Sequence, residues 1–428
     1  MVPEGRFFDR VKQGREGGER RAKREEKAGS RYRFAVGVSD SDKPGTVGYQ
    51  AANAAVDALG TDPSFAFVVI SRFHERNRKT ILESIRKVIG DVPTIGAIVL
   101  DPIMSREGAM EGGVGVALWD AGEGAEISTH ILKLHGKDEE GLREQLSGIL
   151  GDESPKKYLN VLGVVPHFVE DVGERVERAF LSLSEYVDLA VVGVVGGPTP
   201  SPWSITHGWE FFSNHLAIVT IRTDYPFGVF YAYGFHPLVP FEVTRLDGRF
   251  IVELDHSPAY EVLSEILLSR GVSGSDLKDR SRLRKVLARF QMAIPDPAAA
   301  GRFKATVIRD VTHRGIEIGV GTVEGDTVWL MEADNVEIIK STIKGATRSL
   351  SHLKESMAAG MIFFENYIRI MSLGDDIKRE VEGIRKSVPF PFLGVPSAQE
   401  LVIHHTVLSG LHGGVAAGVL FSNSGEQP

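Results

Sequence analysis

The sequence predicts a mixed α/β protein of two domains, built from strand–helix–strand units with helices packed on mixed β-sheets. Three observations carry this. From Tyr32 onward, short apolar runs alternate with amphipathic stretches. One strand–helix–strand–glycine pattern recurs along the chain. And 428 residues are too many for one ordinary domain but suit two of about 200 each.

Taken in order, Met1–Ser30 holds nine Lys/Arg and six Asp/Glu with almost no apolar spacing, so residues 1–31 read as a disordered charged tail. Phe65–Ser71 (FAFVVIS) reads as a buried strand. Thr80–Ile89 follows as a helix with Ile81, Ile85 and Val88 on one face and Gly90 as its stop. Val92–Leu100 is then a strand carrying Gly96, and Gly112–Trp119 is another. The same order returns with a strand from Gly360, a helix over Asp375–Lys386 and a strand at Phe390–Leu393 that meets a turn at Gly394. A looser copy runs from Tyr158–Val165 through a helix to Asp188–Val192. Such units supply right-handed crossovers between parallel strands.

The middle, Leu216–Leu254, is mostly strand, with Asp247-Gly248 as a hairpin turn. Ser257 as cap, Pro258 as first helical residue and Gly271 as stop delimit one helix. Asp334 and Glu337 open another, with Val336, Ile339, Ile343, Ala346, Leu350 and Leu353 along one side. Ile294–Pro297 reads as a loop. The boundary is expected near Gly234–Pro240, giving domains 32–236 and 237–424.

Composition narrows function. No cysteine is present, which excludes disulfides, thiol catalysis, iron–sulfur clusters and cysteine-type zinc sites, and suits a cytoplasmic protein. A net charge of -8 argues against a nucleic-acid partner. No run of about 18 apolar residues offers a membrane span. Walker, dinucleotide-fingerprint, G-x-S-x-G and H-E-x-x-H motifs are all missing, so no enzyme activity is expected.

Three positions invite a ligand. Arg369 falls in FFENYIRIMSLG, read as an apolar strand that puts it on one face with Glu365; it is either an ion pair or a guanidinium offered to a carboxylate or phosphate. Glu400, ahead of the strand LVIHHTVL, is either solvated or placed to receive an ammonium group. Of the 13 histidines only His404 and His405 are adjacent, and in a strand they would face opposite sides. A single histidine could still serve a haem as axial ligand.

At these residues the sequence resembles the FIST family. Phe364-Glu365-Asn366-Tyr367-Ile368-Arg369, ending at Leu373-Gly374, fits the family's F-S-C-x-x-R-x-x-x-L-G, with Asn366 in place of cysteine. Gly394 and Glu400 fit G-x-x-x-x-G-E, with Gln399 for the second glycine, and His404-His405-Thr406 stands where the family has N-H-T. Upstream, Gly234–Pro237, Val243–Arg245 and Glu253–Ala259 match the family's connection. Ile95-Gly96 and Glu111–Val116 keep the amino-terminal frame, while Val195-Gly196-Gly197 and Asn214 fall at family glycines and an N-G turn. The resemblance implies a sensory, signal-transduction module that binds a small ligand such as an amino acid and passes the signal to a protein partner. No output domain is visible, so the chain is expected to stand alone. Haem-dependent nitric-oxide sensing is the alternative within the family, with an enzyme or scaffold as others. The implied ligand site is the space between the domains, formed by Gly96, Asn366, Arg369, Gly394, Glu400, His405 and Thr406.

Overall fold

Three stretches of the chain follow one plan: strand, helix, strand, helix, strand, hairpin, closing strand. In the computed structural model, which describes residues 33–134, 139–166, 172–196, 203–296, 303–318, 322–353 and 358–423, each stretch forms the greater part of a six-stranded sheet. The charged amino-terminal segment, Gly197 and Pro297 lie outside the described residues.

The first unit runs through strands Phe34–Ser39, Phe65–Ser71 and Thr94–Val99 and closes with Val114–Trp119. The second uses Ala125–Lys133, Tyr158–Pro166, Leu189–Val195 and His215–Thr223, and the third Gly228–Ala232, Ala358–Asn366, Phe392–Ser397 and Ala416–Ser422. In each, the second and third strands are parallel. The closing strand lies antiparallel between the first and second. The two clear copies and the looser one expected from the sequence are therefore all real repeats.

The hairpins do something local patterning does not foretell. Ile103–Ser105 of the first unit pairs with Phe392–Ser397 of the third. Ile205–His207 of the second pairs with Thr94–Val99 of the first. Gln399–Ile403 of the third pairs with Leu189–Val195 of the second. The exchange is cyclic, and it gives each sheet's open edge a partner strand.

Where the three sheets face one another, Phe67, Leu162, Val191, Phe364, Val395 and Ala417 form a common core. Helices cover the outer faces, as Ala51, Ala55, Ile81 and Ile85 do over Val68 and Val116. Burial on both faces explains why FAFVVIS is apolar throughout rather than alternating.

A fourth sheet is inserted into the third unit. Six of its seven strands, His236–Asp247, Thr327–Glu332, Phe290–Pro295, Phe303–Thr312, Gly315–Ile318 and Phe250–Leu254, close on themselves through the pairing of the first of these with the last, and Ser257–Pro258 adds a short seventh. The Asp247-Gly248 turn is where the sequence puts it, with Gly248 at φ 60°.

Several element readings need correction. The strand read through FFENYIRIMSLG stops at Asn366, whose side chain caps a helix over Tyr367–Leu373. Both signals were in the sequence: asparagine before the first turn, and Gly374, at φ 52°, after the last. Gly394 is not in a turn but inside Phe392–Ser397, and LVIHHTVL is strand only to Ile403. The helix after Pro258 begins at Ala259. Val336 is exposed, and the inner face of Asn335–Ser349 is instead Ile338, Thr342, Gly345, Ala346 and Ser349. Among the described residues no helix is long and apolar enough to cross a membrane.

Candidate functional site

Arg369 is fully buried and has two carboxylates as partners. Glu365 lies four residues before it, near the end of the strand, and the Arg369 Nε donates to Glu365 Oε1 at 2.5 Å. Its Nη1 donates to the Tyr233 carbonyl at 2.7 Å, and its Nη2 to Glu380 Oε1 at 2.9 Å and to the Thr342 hydroxyl. Thr342 in turn donates to Glu380 at 2.5 Å. Of the two readings left open by the sequence, the ion pair is the one found. The guanidinium is committed inside the fold and is not offered to a ligand.

One cation with two buried carboxylates leaves a proton to be placed. Burial pushes Glu365 up to about 8, against the pull of Arg369, and pushes Glu380 up as well. Glu365 Oε2 and Glu380 Oε2 have no partner. Glu365 in the folded state thus holds its proton to higher pH than in the unfolded chain. Stability from this source is fully present below pH 4.5 and is lost as pH rises through about 8. The buried His404 and His412, held down at about 4 by burial, act oppositely, but only below the ordinary histidine value of 6.5. The melting temperature should therefore fall between about pH 6.5 and pH 8. Glu365→Gln, which keeps an oxygen for Arg369 Nε–H, should flatten that fall; an unchanged slope in thermal melts would assign it elsewhere.

Next to this knot, Asn366 organises a second one. Its Oδ1 accepts from the Ile368 N–H at 3.0 Å. Its Nδ2 donates to the Ala398 carbonyl at 2.9 Å and faces both oxygens of Glu400 at 3.1 and 3.0 Å. Ser397 Oγ donates to Glu400 as well. Glu400 is fully buried, and burial raises it well above the usual carboxylate range. It holds two strand ends together and does not meet solvent.

Above Asn366 opens a cavity of about 410 Å³, at the carboxyl ends of the parallel strands Ala358–Asn366 and Phe392–Ser397. Crevices at that end of a sheet are the usual ligand sites of open α/β folds. Its floor is Asn366, Tyr367, Ala398 and Gln399. The barrel supplies Arg309, Asp310 and Glu317, and the helix Arg280–Leu287 supplies Arg280 and Arg284. Arg280 is paired with Asp310. Arg309 is pushed down by burial and by the neighbouring Arg249, only partly offset by Glu317.

A larger cavity of about 610 Å³ lies at the opposite end of the second sheet, bordered by His352, His404 and His405. The rings of His404 and His405 are 4.2 Å apart and those of His352 and His404 5.2 Å. Because the strand has ended, the rings of the adjacent histidines lie against each other, tilted by 35°, instead of facing opposite sides. The Val229 N–H donates to His352 Nδ1 at 3.3 Å and the Thr406 N–H to His404 Nδ1 at 3.2 Å. Each ring therefore carries its proton on Nε2. A haem iron bound at Nε2 would need that proton on Nδ1, where the backbone N–H already points, so neither ring fits an axial role. His405, exposed, has no such lock. Among the described residues no group of three or more His, Asp or Glu is placed to hold a metal ion.

The residues proposed from the sequence are thus distributed. Asn366, Arg369 and Glu400 share one buried polar region, of which Asn366 reaches a cavity; His405 borders the other cavity, with Thr406 hydrogen-bonded to His404 beside it. Gly96 packs on Val68 and Thr206, and Gly394 on Phe363 and Met104. Sequence reasoning missed the arginines of the first cavity, although Arg280–Arg289 is a dense basic run in an acidic chain.

The fold and cavities define a multi-sheet α/β protein with sites at its strand ends. The FIST N domain matches residues 64–257 and the FIST C domain residues 259–402, and the chain belongs to the FIST family. The family is associated with small-ligand sensing in signal transduction. Comparison with curated proteins finds no match.

Proposed function

We propose that the protein is a sensory ligand-binding protein whose ligand is a small amino acid held in the arginine-lined cavity, with the signal read by a separate protein partner. The observation supporting this is the convergence of Arg284 and Arg309 with Glu317 over the Asn366–Gln399 floor. A guanidinium suits the ligand carboxylate through its planar fork, and the Glu317 carboxylate on the same wall as Arg309 suits the ammonium. A cavity of about 410 Å³ is of small-ligand size. Burial and the neighbouring Arg249 weigh against the charge of Arg309, and Glu317 and Glu174 act in its favour. The floor residue Asn366 bonds Glu400, which gives occupancy a route into the buried polar region.

Thermal-shift screening against the amino acids tests this. One chemical group of them should raise the melting temperature, with about 2.7 kcal/mol of stabilisation at a hundredfold excess over Kd. The corresponding amine, lacking the carboxylate, should give none, and Arg309→Met should abolish the shift. A shift that survives Arg309→Met combined with Arg284→Ala would move the ligand to another site.

A further inference from the structure

We infer that the histidine-bordered cavity is a second binding site, for an uncharged planar heterocycle of the nucleobase type. The argument begins with proton positions. The Val229 N–H fixes a lone pair on His352 Nδ1, so His352 carries its proton on Nε2, 3.5 Å from Thr406 Oγ1. Thr406 Oγ1 is 2.7 Å from His404 Nδ1, which also accepts the Thr406 N–H. With Nδ1 filled, His404 keeps its proton on Nε2 at the cavity. The chain of donors runs in one direction, from the Val229 backbone to the ligand space, and such chains polarise one another.

Protonating either ring would break its backbone hydrogen bond, so both stay neutral; burial acts in the same sense on each. The charged groups near them are few. Asp188 is the one carboxylate on the wall among the described residues, with Oδ2 already accepting the Leu159 N–H at 2.8 Å. Arg348 bears on His352 from the helix behind it, and His405 lies on His404. Among the described residues neither lysine nor arginine borders the cavity. A phosphate or carboxylate would therefore leave water for a wall whose described residues hold no cation to receive it.

What the walls do offer is complementary to a flat, polar-edged ring. Phe227, Leu189 and Ile403 give apolar surface, the imidazole pair gives a ring face, and Asn160 and Asp188 add an amide and an acceptor to the His404 donor. Aromatic stacking with a hydrogen-bonded edge is how proteins hold unpaired bases. The site is distinct from the arginine cavity, with which it shares no lining residue, and stands or falls independently of it.

The experiment is calorimetric titration of the full chain with adenosine, guanosine, cytidine, uridine, AMP and haemin. Saturable binding of at least one nucleoside is expected, with AMP weaker than adenosine if adenosine is the one bound. His404→Phe, which keeps a ring but removes the donor, should weaken binding about tenfold. His405→Ala, at an exposed position that folding does not need, should weaken it through lost stacking. No binding by any of the four nucleosides would overturn the proposal. So would AMP binding as tightly as adenosine, nucleoside binding unchanged in both variants, or haemin taking the site and excluding nucleosides.

Discussion

Replacing Arg369 with methionine is expected to cost on the order of 3–5 kcal/mol of stability, among the largest effects of any single substitution in the chain. The residue sits where the Ala358–Asn366 strand gives way to the Tyr367–Leu373 helix, and it joins that corner to two other helices through Glu380 and Thr342. Methionine fills much of the volume but leaves Glu365 and Glu380 buried with no cation. It also leaves the Tyr233 carbonyl without its donor. Urea unfolding should show a lower midpoint with little change in slope. The loss should be largest at alkaline pH and shrink as acid protonates the two carboxyls. Adding Glu365→Gln and Glu380→Gln to Arg369→Met should recover a good part of it, because the cost lies in stranded charge more than in lost packing. If the triple variant is no more stable than Arg369→Met, the guanidinium acts through shape and hydrogen bonding alone.

That Arg369 pairs with Glu365 was legible from four-residue spacing whichever element carried it. The second carboxylate was harder to see. Glu380 lies on the inner face of the Ile377–Ser387 helix, three residues from Ile377 and four from Ile384, both buried. A carboxylate on an apolar helical stripe is a readable sign of a buried partner, but its identity is set by tertiary packing. The repeats were legible because each unit carries its own apolar strand, amphipathic helix and stop. Hairpin exchange was not, since three-residue strands such as Ile103–Ser105 have no pattern of their own, and their partners lie hundreds of residues away. Barrel closure was hidden for the same reason: the sequence shows the strands and the Asp247-Gly248 turn, but not that the first strand returns to the last.

The candidate sites divide along similar lines. Asn366 was legible as a position where the chain departs from its family's cysteine, and it does line a cavity. Arg309, Arg284 and Glu317 were not, because they come from a barrel strand, a helix and a hairpin whose approach to Asn366 depends on where the inserted barrel docks. The His404–His405 pair was visible, but its geometry followed from the strand ending at Ile403, one residue earlier than the histidines.

Gly96→Ala should be the second large effect, and it separates a structural glycine from a ligand-contacting one. Gly96 pairs across the parallel ladder with Val68 and across the antiparallel one with Thr206. A Cβ at this position would lie 1.9 Å from the Val68 carbonyl oxygen and 2.9 Å from Thr206 Oγ1. The first of these is backbone in a fully buried strand, so no side-chain rotation can relieve it. The strands must separate, at an expected cost of about 3 kcal/mol, the upper part of the overpacking range. The displaced strand also receives the hairpin exchanged from the second unit, so the strain falls on a junction between units. Gly148→Ala makes the contrast. It lies in the helix Glu139–Leu150 with nothing within 4 Å of its Cβ direction, and alanine there should add about 0.5–1 kcal/mol. Urea midpoints should therefore move in opposite directions for the two variants. The folded fraction of Gly96→Ala should bind an amino-acid ligand with unchanged affinity, since the arginine cavity does not include this strand. A stable Gly96→Ala protein that has lost ligand binding would reverse the assignment and return Gly96 to the binding site.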